Sequence, residues 1–259
     1  MKASFSILLR NYFGHEHSRV ISTVLQSFDE PSHDTFHELR VSLKRIRFIK
    51  AMLKKHRVVK SIKAFHPYDR LFQQAGRIRE YQVHAYLLDK FGVEYHDEAY
   101  PHRFQKKERK RIKAWKKEGM KSLQQIIFTF PKIQRQLTRW TITVPEYTAE
   151  LYRQLNKRFG NEVPEEKLHR SRKVLKALLY SSELDRSVRK EITPFANLRI
   201  AATLEDAIGD WHDLEMLLKE DPDKKVRNHL EREKNRELKK IRRLIPSLIR
   251  KAKQQLLPA

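Results

Sequence analysis

Residues 37–48 and 169–180 follow one pattern, H-x-x-R-x-x-L-K-x-[IL]-x-[FY], 132 positions apart in a chain of 259. A second pair comes later in each half. Residues 75–83 and 208–216 share G-x-x-x-[ED]-x-x-[VM], around Gly76 and Gly209, at an offset of 133. Two motifs in the same order at nearly the same offset predict a duplication. The halves fall at about 1–130 and 131–259 of a single domain spanning 1–259. Either half alone leaves an apolar face uncovered, and packing the two together buries it.

The repeated unit reads as helix. Apolar residues recur at three- and four-residue spacing nearly throughout, and Trp140–Val144 is the best, short, candidate strand. Only 6 glycines are present, and Leu, Lys, Arg, Glu and Gln abound. Helices are expected near 5–28, 34–56, 67–91, 99–125, 132–139, 145–158, 164–184, 194–218 and 223–256. Pro31, Pro67, Pro101, Pro131, Pro145, Pro164, Pro194 and Pro222 stand near their boundaries, and Pro246 should kink or split the last one. The fold class is all-α.

Charge narrows the partners. Lys and Arg number 56 against 32 Asp and Glu, a formal charge of +24, and both halves share the excess. Such an excess destabilises a compact chain by self-repulsion unless an anion offsets it, so a polyanionic partner is expected. Cysteine is absent, which excludes disulfides, thiolate metal sites and cysteine nucleophiles and fits a cytoplasmic protein. No apolar run approaches a membrane span. The first ten residues are too briefly apolar for a signal peptide. No P-loop or dinucleotide glycine pattern occurs, no carboxylates stand at metal-ligand spacing with the histidines, and Ser171 and His169 lack an orienting acid. No catalytic residue, metal or cofactor is therefore assigned. The run from Lys106 to Lys117 reads as a solvated helix face.

Helix geometry gives the repeat its chemistry. With His37 at zero, Arg40, Lys44 and Arg47 lie near −60°, −20° and −80° at about 100° per residue, forming one stripe about three turns long. Leu39, Leu43, Ile46 and Leu53 lie roughly opposite. In the second copy His169, Arg172 and Lys176 share a side, extended by Lys173, while Leu168, Leu175 and Leu178 face inward. Leu179 stands where the first copy has Arg47, so the second stripe is shorter. Cations three and four apart repel, and a linear polyanion alongside offsets that repulsion. Arg holds phosphate oxygens in bidentate fashion and Lys acts as a point charge.

In order, His37–Arg47, Gly76–Glu80, Leu168–Lys176 and Ile208–Asp213 resemble the CHAD domain, the conserved histidine α-helical domain, over roughly residues 5–255. The resemblance implies two four-helix-bundle-like halves related by a pseudo-twofold axis, with a basic groove between them that binds inorganic polyphosphate. By position it assigns polyphosphate contact to His37, Arg40, Lys44, Arg45 and Arg47, with Arg77 and Arg79 on the next helix. In the second half it assigns His169, Arg172, Lys173 and Lys176. It implies a non-catalytic binding protein, targeted to polyphosphate granules. The chain lacks the E-x-E-x-K signature of the triphosphate-hydrolysing domain fused to some relatives. Glu80 and Gln82 stand where the family usually has Asp.

Two other classes stay open on charge alone. One is a nucleic-acid binder, since phosphate contacts dominate either affinity. Trp115, Trp140 and Trp211 are its candidate stacking residues, although the basic stripes contain no interleaved aromatics. The other is an enzyme or accessory factor of phosphate-chain metabolism.

Overall fold

The computed structural model describes residues 4–59, 61–90, 99–159, 165–193, 197–219 and 224–256. All regular structure among them is helical, as the periodicity predicts. The chain forms two compact units, one running to Thr141 and the other from Ile142 onward. No described helix is long and apolar enough to cross a membrane.

The first unit packs four helices, α1 (Phe5–Asp29), α2 (His33–Lys55), α3 (His66–Lys90) and α4 (Ala99–Leu137), with a 3₁₀ turn at Lys63–Phe65 before α3. Ser32 caps α2 by accepting from the Thr35 N–H at 3.1 Å. Asp34 in the first turn and Lys54 and Lys55 in the last complement the helix dipole. Phe36, Leu39, Leu43, Ile46, Ile49 and Leu53 of α2 are fully buried. Phe13 and Val20 of α1, Tyr68 and Leu71 of α3, and Trp115 and Ile126 of α4 complete that core. Trp115 Nε1 donates to Ser27 Oγ at 2.8 Å, so its one polar atom is satisfied inside. With the apolar face of α2 spent on the core, its basic stripe is left to face α3 and solvent.

The second unit comprises α5 (Val144–Arg158), α6 (Glu165–Glu183), α7 (Arg186–Ile192), α8 (Leu198–Leu218) and α9 (Lys224–Leu256). α6 buries Leu168, Leu175 and Leu178, and packs on α5, α7 and α8. α9 covers α8 with Leu230, Leu238, Ile241, Ile245 and Leu248, a helical stripe on an otherwise polar rod.

Four expectations change. Residues 99–125 and 132–139 form one helix, and α4 runs through Pro131. α9 likewise continues through Pro246. Both prolines are exposed, and the carbonyls they orphan, of Ile127 and Arg242, belong to exposed residues where water can serve them. The strand candidate Trp140–Val144 is irregular, because Thr143 is the N-cap of α5. Its hydroxyl accepts from the Glu146 N–H while the Glu146 carboxylate accepts from the Thr143 N–H, a capping box. Finally α7, capped by Asp185, lies where no helix is expected. Pro164, Pro194 and Pro222 lie outside the described residues.

Candidate functional site

In the first unit α2 turns its stripe toward α3. Arg40 is half-buried. It donates from Nη1 to the Phe72 carbonyl oxygen at 3.0 Å, and its guanidinium lies 4.3 Å from the Phe72 ring centroid. Arg47, two turns along, lies over the same ring at 4.2 Å. One aromatic ring thus holds two guanidinium groups by cation–π attraction and supplies no anion. A Cβ on Gly76 would stand 2.5 Å from Arg40 Nη1, so glycine leaves the space the guanidinium occupies.

Arg79 joins this group from α3. Its Nη2 approaches His37 Nδ1 at 3.5 Å, and its Nη1 is buried with no hydrogen-bond partner among the described residues. Burial first, then the charges of Arg79 and Lys44, hold the His37 imidazole below its ordinary pKa, with Asp34 opposing them. Burial, reinforced by Arg79 and Arg47, also lowers the Arg40 pKa. Among the described residues, Arg40 and Arg79 make no ion pair. Lys50 and Arg47 share Asp69, Arg47 at 3.8 Å. His37, Arg40, Lys44, Arg47 and Arg79 are therefore brought together in one place.

Two of the expected residues are not. Arg45 points to α1, where its Nη1 meets the buried Glu16 carboxylate at 3.4 Å. Arg77 faces α4, where with Arg70, Gln74, Lys121 and Gln125 it lines a polar cleft of about 480 Å³. Two residues apart on a helix means about 200° around it, so Arg77 and Arg79 cannot serve one face.

The second unit repeats the frame with different chemistry. Arg172 sits on Gly209, where an added Cβ would stand 2.6 Å from its Nη2. Arg172 Nε donates to the Glu205 carboxylate at 2.6 Å, and Lys176 Nζ lies 3.3 Å from the same oxygen. The rings of His169 and His212 are tilted against each other at 5.2 Å. Burial, then Lys173 and His212, lower the His169 pKa, while Glu215 opposes them. Lys173 is exposed at the edge. Asp206, beside Glu205, has its pKa raised by burial and by the carboxylates of Glu205 and Asp210.

A family model described as "CHAD domain" matches residues 29–220, which takes in both arginine–glycine pairs. The chain belongs to the CHAD-domain family. Among solved structures, the crystal structure of the CHAD domain from the plant Ricinus communis is similar in fold. That similarity has a TM-score of 0.63 at 14% identity, covering 95% of this chain and 93% of that one. The comparison with curated proteins gives no match.

Within this CHAD domain, Phe72 and Glu205 escaped the reading of the sequence. Each stands four residues before its motif glycine, one turn upstream of where the shared pattern was drawn. Extending the repeat by that turn would have paired them and shown the difference. The three tryptophans are all buried, Trp115, Trp140 and Trp211 alike, and so offer no platform for bases. Lys106, Lys110, Lys113 and Lys117 are exposed, as expected for a solvated face.

Proposed function

We propose that this CHAD domain binds inorganic polyphosphate, as a binding module and not an enzyme, through the cationic cluster of α2 and α3. One observation carries the reading. Arg40 and Arg47 meet on the Phe72 ring, Arg79 reaches His37 and its charge bears on Arg40, Lys44 bears on His37, and Arg40 and Arg79 have no ion-pair partner among the described residues. Ten residues separate His37 from Arg47, about 15 Å along a helix. A polymer carrying one charge after another along its length matches such a stripe better than a compact anion does. Membership of the family supports the choice of polymer. Accumulation on polyphosphate granules follows as the cellular consequence.

Titration with long-chain polyphosphate at near-physiological salt, with duplex DNA and RNA as competitors, tests it. Tight binding that the nucleic acids fail to displace is expected. Arg40→Glu should weaken it at least tenfold with helix content unchanged. Lys110→Glu with Lys113→Glu, on the solvated face of α4, removes twice the charge and should cost less than threefold. Equal losses, or displacement by DNA, would leave only diffuse attraction. Release of phosphate by the pure protein with magnesium would overturn the non-enzymatic part.

A further inference from the structure

The two arginine–glycine seats are alike in frame and opposite in what lies beneath the guanidinium. Under Arg40 and Arg47 is the ring of Phe72; against Arg172 and Lys176 is the carboxylate of Glu205. The difference extends along the partner helix. At the repeat offset, Gln73 and Arg77 of α3 are replaced by Asp206 and Asp210 of α8. Arg47 has an apolar counterpart, Leu179, so the second stripe also loses its last cation.

We infer that Glu205 is a built-in counter-anion that occupies the second seat, so that polyphosphate is gripped by the first unit and Glu205 and Phe72 decide which half binds. This rests on the proposed function. The Phe72 ring orders both guanidinium groups and brings no carboxylate of its own. Arg47, at 3.8 Å, only shares Asp69 with Lys50, and Arg40 makes no ion pair among the described residues, which leaves it for phosphate oxygens. A carboxylate at 2.6 Å satisfies Arg172 already. A phosphate approaching Arg172 must displace Glu205, and then lies beside a half-buried carboxylate that Asp206 and Asp210 reinforce. Like charges at that range oppose binding. The seat, its two cations sharing one carboxylate, remains useful to the fold, since it ties α6 to α8.

Paired variants of equal charge separate this from a general effect of net charge. Arg40→Gln with Arg47→Gln, and Arg172→Gln with Lys176→Gln, each remove two positive charges. The first pair should weaken long-chain polyphosphate binding at least tenfold and the second by less than threefold. Glu205→Gln should tighten binding at least threefold, beyond any effect of Glu166→Gln, which makes the same charge change on an exposed carboxylate of α6. Calorimetry with tripolyphosphate should count one equivalent per wild-type chain and two for Glu205→Gln. Equal losses from the two double variants, or a Glu205→Gln protein no different from Glu166→Gln, would overturn the inference. A wild-type chain that ignores polyphosphate sinks the proposed function instead. The salt at which the same proteins leave a heparin column then decides this inference. Earlier elution of Arg40→Gln/Arg47→Gln upholds it, and co-elution of the two double variants overturns it.

Discussion

A glycine inside a helix costs about 1 kcal/mol relative to alanine, yet Gly76 and Gly209 both stand mid-helix under an arginine. The cost goes to the guanidinium's position. Gly76→Ala should therefore separate stability from binding. The gain in helix propensity is offset by loss of the hydrogen bond from Arg40 to the Phe72 carbonyl, about 0.5–1.5 kcal/mol. Thermal unfolding should change little while polyphosphate affinity falls about tenfold, and Gly209→Ala should leave affinity nearly intact. An unchanged affinity in Gly76→Ala would mean that Arg40 reaches the polymer without this seat. The stripe itself was legible in the sequence, because helical spacing alone places His37, Arg40, Lys44 and Arg47 on one side. What each cation meets was not, since the partner comes from another helix. Arg45 found Glu16 on α1, Arg47 found Phe72 and Asp69 on α3, and Arg172 found Glu205 on α8.

At the level of helices, α1, α3 and α4 meet around His17, 6% exposed. Its ring stacks on Phe130 at 4.2 Å, and its Nδ1 shares a hydrogen bond of 2.8 Å with the Tyr68 hydroxyl. Burial pushes its pKa down from 6.5 to about 4. The unfolded chain therefore holds more protons than the folded one between those values. Stability falls as pH drops through 6.5 toward 4, by about 2 kcal/mol by pH 5. His17→Gln keeps an acceptor for Tyr68 and does not titrate. Urea midpoints measured between pH 7 and pH 5 should fall in the wild type and fall clearly less in the variant, where His37 and His169 still contribute; parallel curves would assign the acid sensitivity elsewhere. The helices themselves were largely readable from apolar spacing, and α2 and α6 lie within a residue of expectation at each end. The failures share a cause. Proline was read as punctuation, but the packing of Ile126, Ile133 and Leu137 before and after Pro131, and of Ile241, Ile245 and Leu248 around Pro246, outweighs one lost backbone bond. Conversely α7 is too short to show a period, and only Asp185 at its start with buried Val188 and Ile192 marks it.

Taken whole, a chain of net charge +24 is under self-repulsion that any salt relieves and a bound polyanion relieves locally. The two effects differ in form. Screening by sodium chloride acts on every exposed charge and rises smoothly with concentration. A ligand that binds the folded chain alone stabilises it in proportion to the logarithm of its excess, about 2.7 kcal/mol at a hundredfold excess over Kd. For units of this size each kcal/mol raises the melting temperature by several degrees. Polyphosphate at hundredfold excess over Kd should therefore raise it well beyond an equal ionic strength of sodium chloride. Arg40→Gln with Arg47→Gln should reduce the rise to the level of salt alone, whereas Arg172→Gln with Lys176→Gln should keep most of it. Both variants carry the same net charge, so a difference between them can come only from where the charge was removed. If both melt as the wild type does in polyphosphate, the stabilisation belongs to the molecule's overall field, and the cluster around Phe72 is not where the polymer is held.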